Sequence, residues 1–277
     1  MVATASVAAA EISMGGYGRF GVYYDGAASS TDITSRMRLT VDATAESDAG
    51  VTFGARARMQ TAEGSAPNGF NGIRFSAKSG GLEVGVGNIF GAIESMPGQY
   101  PIDLGLTGLG YEYTAYGVGG ADAYSSTGNG SSGANGIEVM YSAGDLSAHI
   151  SASDTNDRIA LYGAYTFSGW TVALGYQDST AAADVEYTVT VGGTVGPAKV
   201  GLAYAETNAG DDRLVLSGGM DVGAATNVEF YYADQGSDDS MGLDFNHDLG
   251  GGTSLRGGVA RKFDGETYAD FGVRFNF

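Results

Sequence analysis

Residues 33–60 read ITSRMRLTVDATAESDAGVTFGARARMQ, and they alternate twice. Met37, Leu39, Val41 and Ala43 share one parity, and Arg36, Arg38, Thr40 and Asp42 take the other. Val51, Phe53, Ala55, Ala57 and Met59 then alternate with Thr52, Arg56, Arg58 and Gln60. Successive side chains of a strand point to opposite faces, so this period of two reads as half-buried β-strand; a helix would need 3.6. The apolar face is unbroken, while the other carries charge pairs such as Arg36 and Arg38.

The same period extends in both directions. Ile12, Met14, Phe20, Val22 and Tyr24 oppose Ser13, Tyr17, Arg19 and Tyr23. Val185, Tyr187, Val189 and Val191 oppose Asp184, Glu186, Thr188 and Thr190. At the end Ala269, Phe271, Val273, Phe275 and Phe277 oppose Asp270, Gly272, Arg274 and Asn276. About 16 such segments fit the chain, starting near residues 11, 33, 51, 71, 81, 136, 145, 158, 170, 183, 197, 211, 226, 240, 253 and 267. Each runs about 9–11 residues, the length a tilted strand needs to cross a bilayer, where soluble strands average about 5–6.

The connections fall into two kinds. Residues 79–80, 168–169, 222–226 and 250–252 are short and nearly uncharged, whereas 154–157, 178–184, 206–212, 234–239 and 264–266 are acidic and longer. A transmembrane barrel sorts its turns this way, tight on one rim and long on the other. The expected fold is therefore all-β: a 16-stranded antiparallel transmembrane β-barrel over residues 11–277, with both termini on the tight-turn side. Residues 1–10, MVATASVAAA, lack that pattern and end in small residues, which reads as a signal-peptide remnant and implies export.

Composition narrows the function. The net charge of −18 repels phosphate backbones and argues against nucleic acid. The absence of Cys leaves neither disulfides nor thiolate metal sites. No apolar run is long enough for a membrane helix, which says nothing against a barrel.

Residues 93–135 break the rhythm between the fifth and sixth strands. A stretch this long is functional or misassigned, and the clear strands on both flanks (Leu82, Val84, Val86; Ile137, Val139, Tyr141) favour function. Its first half mixes Glu94, Asp103 and Glu112 with Leu104, Leu106, Leu109 and Tyr111. Leucines in a loop call for burial, so this third long loop is expected to fold inward against the barrel wall.

Basic residues concentrate early. Seven of the 14, Arg19, Arg36, Arg38, Arg56, Arg58, Arg74 and Lys78, share the polar parity of the first strands and form one inner cluster. Like charges on neighbouring strands repel, unless water or acids offset them. The long loop supplies opposing carboxylates. Charges about 10 Å apart interact by roughly 0.4 kcal/mol in water and about 1.7 kcal/mol at an effective dielectric near 20, enough to orient a dipolar solute but not to bind one tightly.

Other motifs carry less. Residues 16–21 spell G-x-G-x-x-G, but strand periodicity runs straight through and no helix follows, which excludes a dinucleotide site. These glycines instead keep a strand slim where another surface approaches, a neighbouring subunit for example. His149 lies on polar parity and His247 on apolar parity, so they do not converge. No Ser/His or Asp/His set supports a hydrolase. Phe167 and Trp170 flank a tight turn, as an aromatic girdle would. Acidic loops such as 208–212 leave calcium as the one metal to consider, without the nonapeptide repeat of a calcium-binding β-roll.

EISMGGYGRFGVYY (11–24), the stretch at 33–60 and the terminal YADFGVRFNF (268–277) together resemble the general diffusion porins of Gram-negative bacteria, most nearly the Rhodobacter-type porins of alphaproteobacteria. The resemblance spans residues 11–277 and implies a 16-stranded barrel, a homotrimer, and a third loop folded in as an eyelet. It implies a basic eyelet wall of Arg19, Arg36, Arg38, Arg56, Arg58 and Arg74 facing the acidic loop of Glu94, Asp103 and Glu112. Phe277 would be the outer-membrane assembly signal. The Pro-Glu-Phe-Gly-Gly pattern of enteric porins is absent.

The expectation is thus a multi-pass protein of a Gram-negative outer membrane. It would pass small hydrophilic solutes and ions through a water-filled channel, without cofactor or reaction. Net acidity favours cations and the basic wall favours anions, so the sign of selectivity stays open. The competing readings are a secreted soluble β-protein that binds calcium or glycans through its acidic loops, and an outer-membrane enzyme scaffolded on a barrel.

Overall fold

A computed structural model gives the structure, and it describes residues 10–65, 69–116, 120–126, 133–181, 185–206 and 212–277. Sixteen strands follow one another: β1 (Glu11–Asp25), β2 (Ser30–Glu46), β3 (Thr52–Ala62), β4 (Arg74–Ser79), β5 (Leu82–Asn88), β6 (Asn135–Ala143), β7 (Leu146–Ser153) and β8 (Ile159–Phe167). The second half comprises β9 (Trp170–Asp178), β10 (Glu186–Val195), β11 (Ala198–Glu206), β12 (Arg213–Asp221), β13 (Thr226–Gln235), β14 (Asp238–Gly250), β15 (Thr253–Arg261) and β16 (Thr267–Asn276). Each strand pairs antiparallel with its sequence neighbours, and β1 pairs β16 to close the barrel. Closure leaves no unpaired edge, the condition a sheet must meet inside a bilayer.

Register fixes which residues face lipid. Ile12 pairs Ala43, Met14 pairs Val41 and Val22 pairs Ile33, so one apolar parity continues from strand to strand around the outside. Ile12, Met14 and Ile33 are each more than 70% exposed, a belt that water would penalise and hydrocarbon accommodates. Trp170 pairs Phe167 across the turn at 168–169. Barrel closure also uses the last residue: Phe277 donates its N–H to Gly16 O (3.1 Å) and accepts from Gly16 N (2.9 Å).

Observed strand starts fall within three residues of those expected. Strand lengths spread more widely, from six residues in β4 to 17 in β2. One acidic loop, expected at 234–239, is instead a two-residue turn. There β13 and β14 pair out to Gln235 and Asp238, with Gly236 supplying the positive φ of 62°. The glycines of the G-x-G-x-x-G stretch also find their neighbours within the chain: the Phe275 ring lies over Gly18, where any Cβ would strike it, and the Phe277 ring closes on Gly16. Residues 1–9, and with them most of the proposed signal remnant, lie outside the described residues.

Between β5 and β6 the described residues 90–116 and 120–126 leave the wall and enter the lumen. The buried hydrophobic core lies there, between this loop and the inner wall. Loop residues Ile93, Ile102, Leu104, Leu109, Tyr113 and Tyr116 pack against Ala160, Ala203, Ala205, Val215, Tyr231, Ala233 and Ala260. The wall makes room by being small on its inner face. A Cβ on Gly175 would meet Ile93 and Met96, and one on Gly258 would meet Gly105 and Leu109.

Candidate functional site

The loop is fastened at its root, along its length and at its tip. At the root Glu138 of β6 is fully enclosed and accepts from Phe90 N (2.9 Å), Gly91 N (3.2 Å) and Arg74 Nε (2.6 Å). His149 Nε2 lies 3.0 Å from the same carboxylate, and Arg74 also pairs with Glu83 at 2.9 Å. The Phe90 ring lies 4.1 Å below the Arg74 guanidinium. Along the loop, Thr190 Oγ1 donates to Pro97 O (2.5 Å), Arg213 donates to Thr114 O (3.0 Å), and Arg158 pairs with Asp122 at 2.6 Å. Tyr116 OH reaches Glu186, and Gln177 Nε2 donates to the Tyr116 hydroxyl at 2.6 Å.

The tip crosses to the far wall. Asp270 of β16 accepts from Leu106 N (2.9 Å), Thr107 N (2.7 Å) and Thr107 Oγ1 (2.6 Å). Asp244 accepts from Gly105 N at 2.7 Å, and Arg19 donates to Leu106 O at 2.7 Å. Gly105, Gly108 and Gly110 take positive φ here, and so do Leu109 (43°) and Tyr111 (64°). Bulky residues rarely adopt that conformation, and strain of this kind persists only where surrounding contacts over-determine it.

The proposed acidic residues lie apart from one another. Asp103 projects into the lumen, 60% exposed, and pairs with Arg256 (2.5 Å) and Arg274 (3.2 Å). Glu112 accepts from Phe263 N at 3.0 Å, near the β15–β16 connection. Glu94 accepts from Tyr100 OH at 2.7 Å, and burial raises its pKa above the usual carboxylate value despite that bond. Burial also raises Tyr100, Tyr113 and Tyr116, with carboxylate neighbours adding to it, so these loop hydroxyls stay neutral. None of the three acids pairs with the early arginines among the described residues.

The basic wall divides in two. Arg74 is locked in the root just described, and Arg56 of β3 donates to the Asp42 carboxylate through Nε (2.7 Å) and Nη2 (3.2 Å). Arg36 and Arg38 of β2 and Arg58 of β3 face the lumen half-buried. Arg36 sits directly across from Arg19, and Arg38 across from Tyr17. Aromatic faces support the guanidinium groups: Tyr17 lies under both Arg38 (5.3 Å) and Arg274 (4.4 Å), and Tyr124 lies 4.8 Å from Arg58. Arg58 also donates to Ser126 Oγ at 2.8 Å. A recess of about 410 Å³, lined by Tyr100, Thr171, Thr190, Lys199 and Glu229 among others, stays open between loop and wall on the side of β9–β13.

Sequence reasoning passed over Arg256 and Arg274, which hold Asp103, and over Asp244 and Asp270, which hold the tip. Asp270 and Arg274 stood on the polar parity of the last strand, yet parity alone does not say which inward residue meets the loop. His149 is buried against Glu138, while His247 contacts Thr226 (2.8 Å), so the two histidines stay apart. Of the segment 208–212 considered for calcium, only Asp212 lies among the described residues, and it accepts from Tyr204 OH at 2.6 Å.

Comparison with known proteins places this geometry. A family model described as Gram-negative porin matches residues 1–267. The chain is 32% identical to the porin of Fuscovulum blasticum and 28% identical to that of Rhodobacter capsulatus, in each case over 96% of this chain and all of the relative. Solved structures of two engineered variants of the Rh. blastica porin superpose with TM-scores of 0.85 and 0.86 at 30% identity, again over 96% of this chain and all of theirs.

Proposed function

The chain belongs to the Gram-negative porin family, and from that premise we propose how its channel sorts what passes. It is a multi-pass outer-membrane channel for small solutes and ions, and it is not an enzyme. Our reading is that the eyelet lies between the inward loop and the arginines of β1–β3, with Arg19, Arg36, Arg38, Arg56 and Arg58 on one side and Asp103 as the loop's solvent-facing acid. Arg74 and Glu112 are assigned to holding the loop, and Glu94 to its packing. The observation that carries this reading is the loop itself. Its tip crosses the lumen from β6 to β16 and ends on Asp270, so solutes must pass beside it.

The channel is read as a homotrimer that works without a cofactor. Family membership supports the trimer, and the wall and loop supply all the chemistry that diffusion requires. No observation favours a secreted soluble protein.

Refolding in detergent, cross-linking, and insertion into a planar bilayer test the reading together. The expected result is a cross-linked species of three chains and discrete long-lived current steps that decline for larger neutral sugars. Folded, β-rich protein that leaves the bilayer silent would overturn it.

A further inference from the structure

The positive charge in this lumen is unevenly neutralised. Among the described residues, Arg56, Arg74, Arg158, Arg256, Arg261 and Arg274 each have a carboxylate within 4.0 Å. Arg19, Arg36, Arg38, Arg58 and Arg213 are absent from those pairs, and the first four share one patch. Arg36 faces Arg19 across β1–β2, Arg38 lies two residues further along β2, and Arg58 sits opposite Thr40. Their partners are neutral: Leu106 O for Arg19, Gln60 Oε1 (2.8 Å) for Arg38, and Ser126 Oγ for Arg58. The Nε atoms of Arg19 and Arg36 are buried with no acceptor.

Nearby acids are committed elsewhere. Asp42 holds Arg56, and Asp103 lies between Arg256 and Arg274. Glu63 accepts from Thr34 Oγ1 at 2.9 Å and from Ser35 N. Asp244 and Asp270 are buried behind the loop, spent on its backbone N–H groups.

Like charges placed directly opposite one another in a sheet destabilise it. Among the described residues no carboxylate pairs with this set, and only the field of Glu63 reaches Arg19. One carboxylate does not balance four guanidinium groups, so the remaining counter-charge must come from solution. We propose that Arg36, Arg38 and Arg58, backed by Arg19, form a weak resting site for small oxyanions such as phosphate and dicarboxylates, and that the channel consequently prefers anions although the chain carries a net charge of −18. Three features specify the ligand. Guanidinium groups present paired N–H donors that fit carboxylate and phosphate oxygens. Tyr17 and Tyr124 hold two of the forks flat, so little order is lost on binding. Water in the lumen keeps the binding weak, as transit requires. Salt screens exposed charges beyond about 10 Å at 0.1 M, so the charges that line the narrowed lumen count for more than the net charge of the chain.

This inference rests on the channel reading above, and bilayer recordings separate the two. Three screened charges lining the path, with Arg19 behind them, enrich anions several-fold, so a KCl gradient is expected to give a chloride-to-potassium permeability ratio of about three or more. The ratio should fall towards one in R36Q/R38Q/R58Q, and towards one in the parent at molar salt. Inorganic phosphate is expected to lower chloride current in the parent. The lysine variant R36K/R38K/R58K is expected to keep the anion preference but lose most of the phosphate block, because it keeps the charge and discards the fork. Removing like-charge repulsion leaves R36Q free to fold, with a thermal midpoint at or above that of the parent. Cation-preferring current from the parent, or phosphate block unchanged in the glutamine variant, would overturn this inference and leave the channel standing. A silent bilayer would remove both.

Discussion

Replacing Asp270 by Ala should release the loop tip. The carboxylate is 5% exposed and receives three donors, Leu106 N, Thr107 N and Thr107 Oγ1, at 2.6–2.9 Å. A hydrogen bond to a charged group contributes about 1.5–3 kcal/mol, so three in a dry site would amount to roughly 4.5–9 kcal/mol. Thr107 is only half-buried and lumen water can reach the freed donors, which brings the loss to about 4 kcal/mol. What remains is Asp244 on Gly105 N, Arg19 on Leu106 O, and the burial of Leu104, Leu106 and Leu109, at about 1.5–3 kcal/mol per side chain. The tip should therefore stay docked most of the time, with its detached population raised roughly a thousandfold, since each 1.4 kcal/mol is about a factor of ten. Single-channel recording at fixed voltage reads this as excess open-channel noise and flicker. D270N should fall between, because its amide keeps one acceptor oxygen but turns a donor towards backbone N–H groups. If D270A assembles normally and its current steps are as large and as quiet as the parent's, the tip is not held by this carboxylate and the reasoning fails.

Gly105→Ala should produce similar noise, since φ at that residue is 61° and its Cβ would strike the Asp270 carboxylate. Combined with D270A it should add less than it costs alone, because the struck group is gone; full additivity would contradict the geometry. Truncating Glu138 to Ala strands His149 and two loop N–H groups and leaves Arg74 with Glu83 alone, at a cost of about 3–5 kcal/mol for breaking a buried ion pair. The unfolding temperature in detergent, followed by circular dichroism, should drop, and an unchanged midpoint would refute the root assignment. Glu63 lies just beyond β3. Burial works against its charge, but hydrogen bonds from Ser35 N, its own N–H and Thr34, with the field of Arg19, hold its pKa below the usual value. Its contribution is therefore complete above the unfolded value of about 4.5 and fades as pH falls through the lower folded value. The stability gap between parent and E63Q should close on acidification, and a gap that ignores pH would exclude this role. Deleting Phe277 removes two hydrogen bonds to Gly16 and a ring packed on β1, so barrel closure in lipid vesicles should slow; equal folding rates would dismiss it.

The barrel was legible because its two solvents differ. Lipid outside and water inside impose a strict period of two, and a slip of one residue would expose every inward charge to hydrocarbon. That is why expected strand starts lie within three residues of those observed, from Glu11 to Thr267. The path of the loop was harder to read, because a chain packed by its own irregular turns has no period. A signal was nevertheless present on the opposite wall. Inward positions from β8 to β15 run to Ala160, Ala164, Ala173, Gly175, Ala203, Ala205, Ala233, Gly242, Gly258 and Ala260, where an ordinary aqueous lumen would carry polar side chains. A strip of small inward residues marks where something else must lie. Pairing partners were not legible at all: Asp103 meets Arg256 and Arg274 from more than 150 residues away, and only the docked loop brings them together.

The anchors also explain how size and charge selection are divided. Asp244, Asp270 and Glu138 grip backbone N–H groups of the loop, and Arg19, Arg213 and Thr190 grip its backbone carbonyls. A grip on the backbone is indifferent to the side chains it carries, glycine positions apart. The width of the passage is thus set by wall residues that hold the loop, while its charge is set by arginines that no carboxylate neutralises. Among the described residues Arg36 and Arg38 pair with no loop residue and no carboxylate, so they can change without loosening the constriction, whereas Arg58 also holds the loop side chains of Ser126 and Tyr124. Arg19 and Arg58 serve both purposes, but the remaining residues should separate: the other anchor variants alter noise and size exclusion at constant ion preference, and Arg36 and Arg38 variants alter ion preference at constant noise. Any other residue that moved both readouts equally would show that width and charge are coupled through a contact these assignments omit.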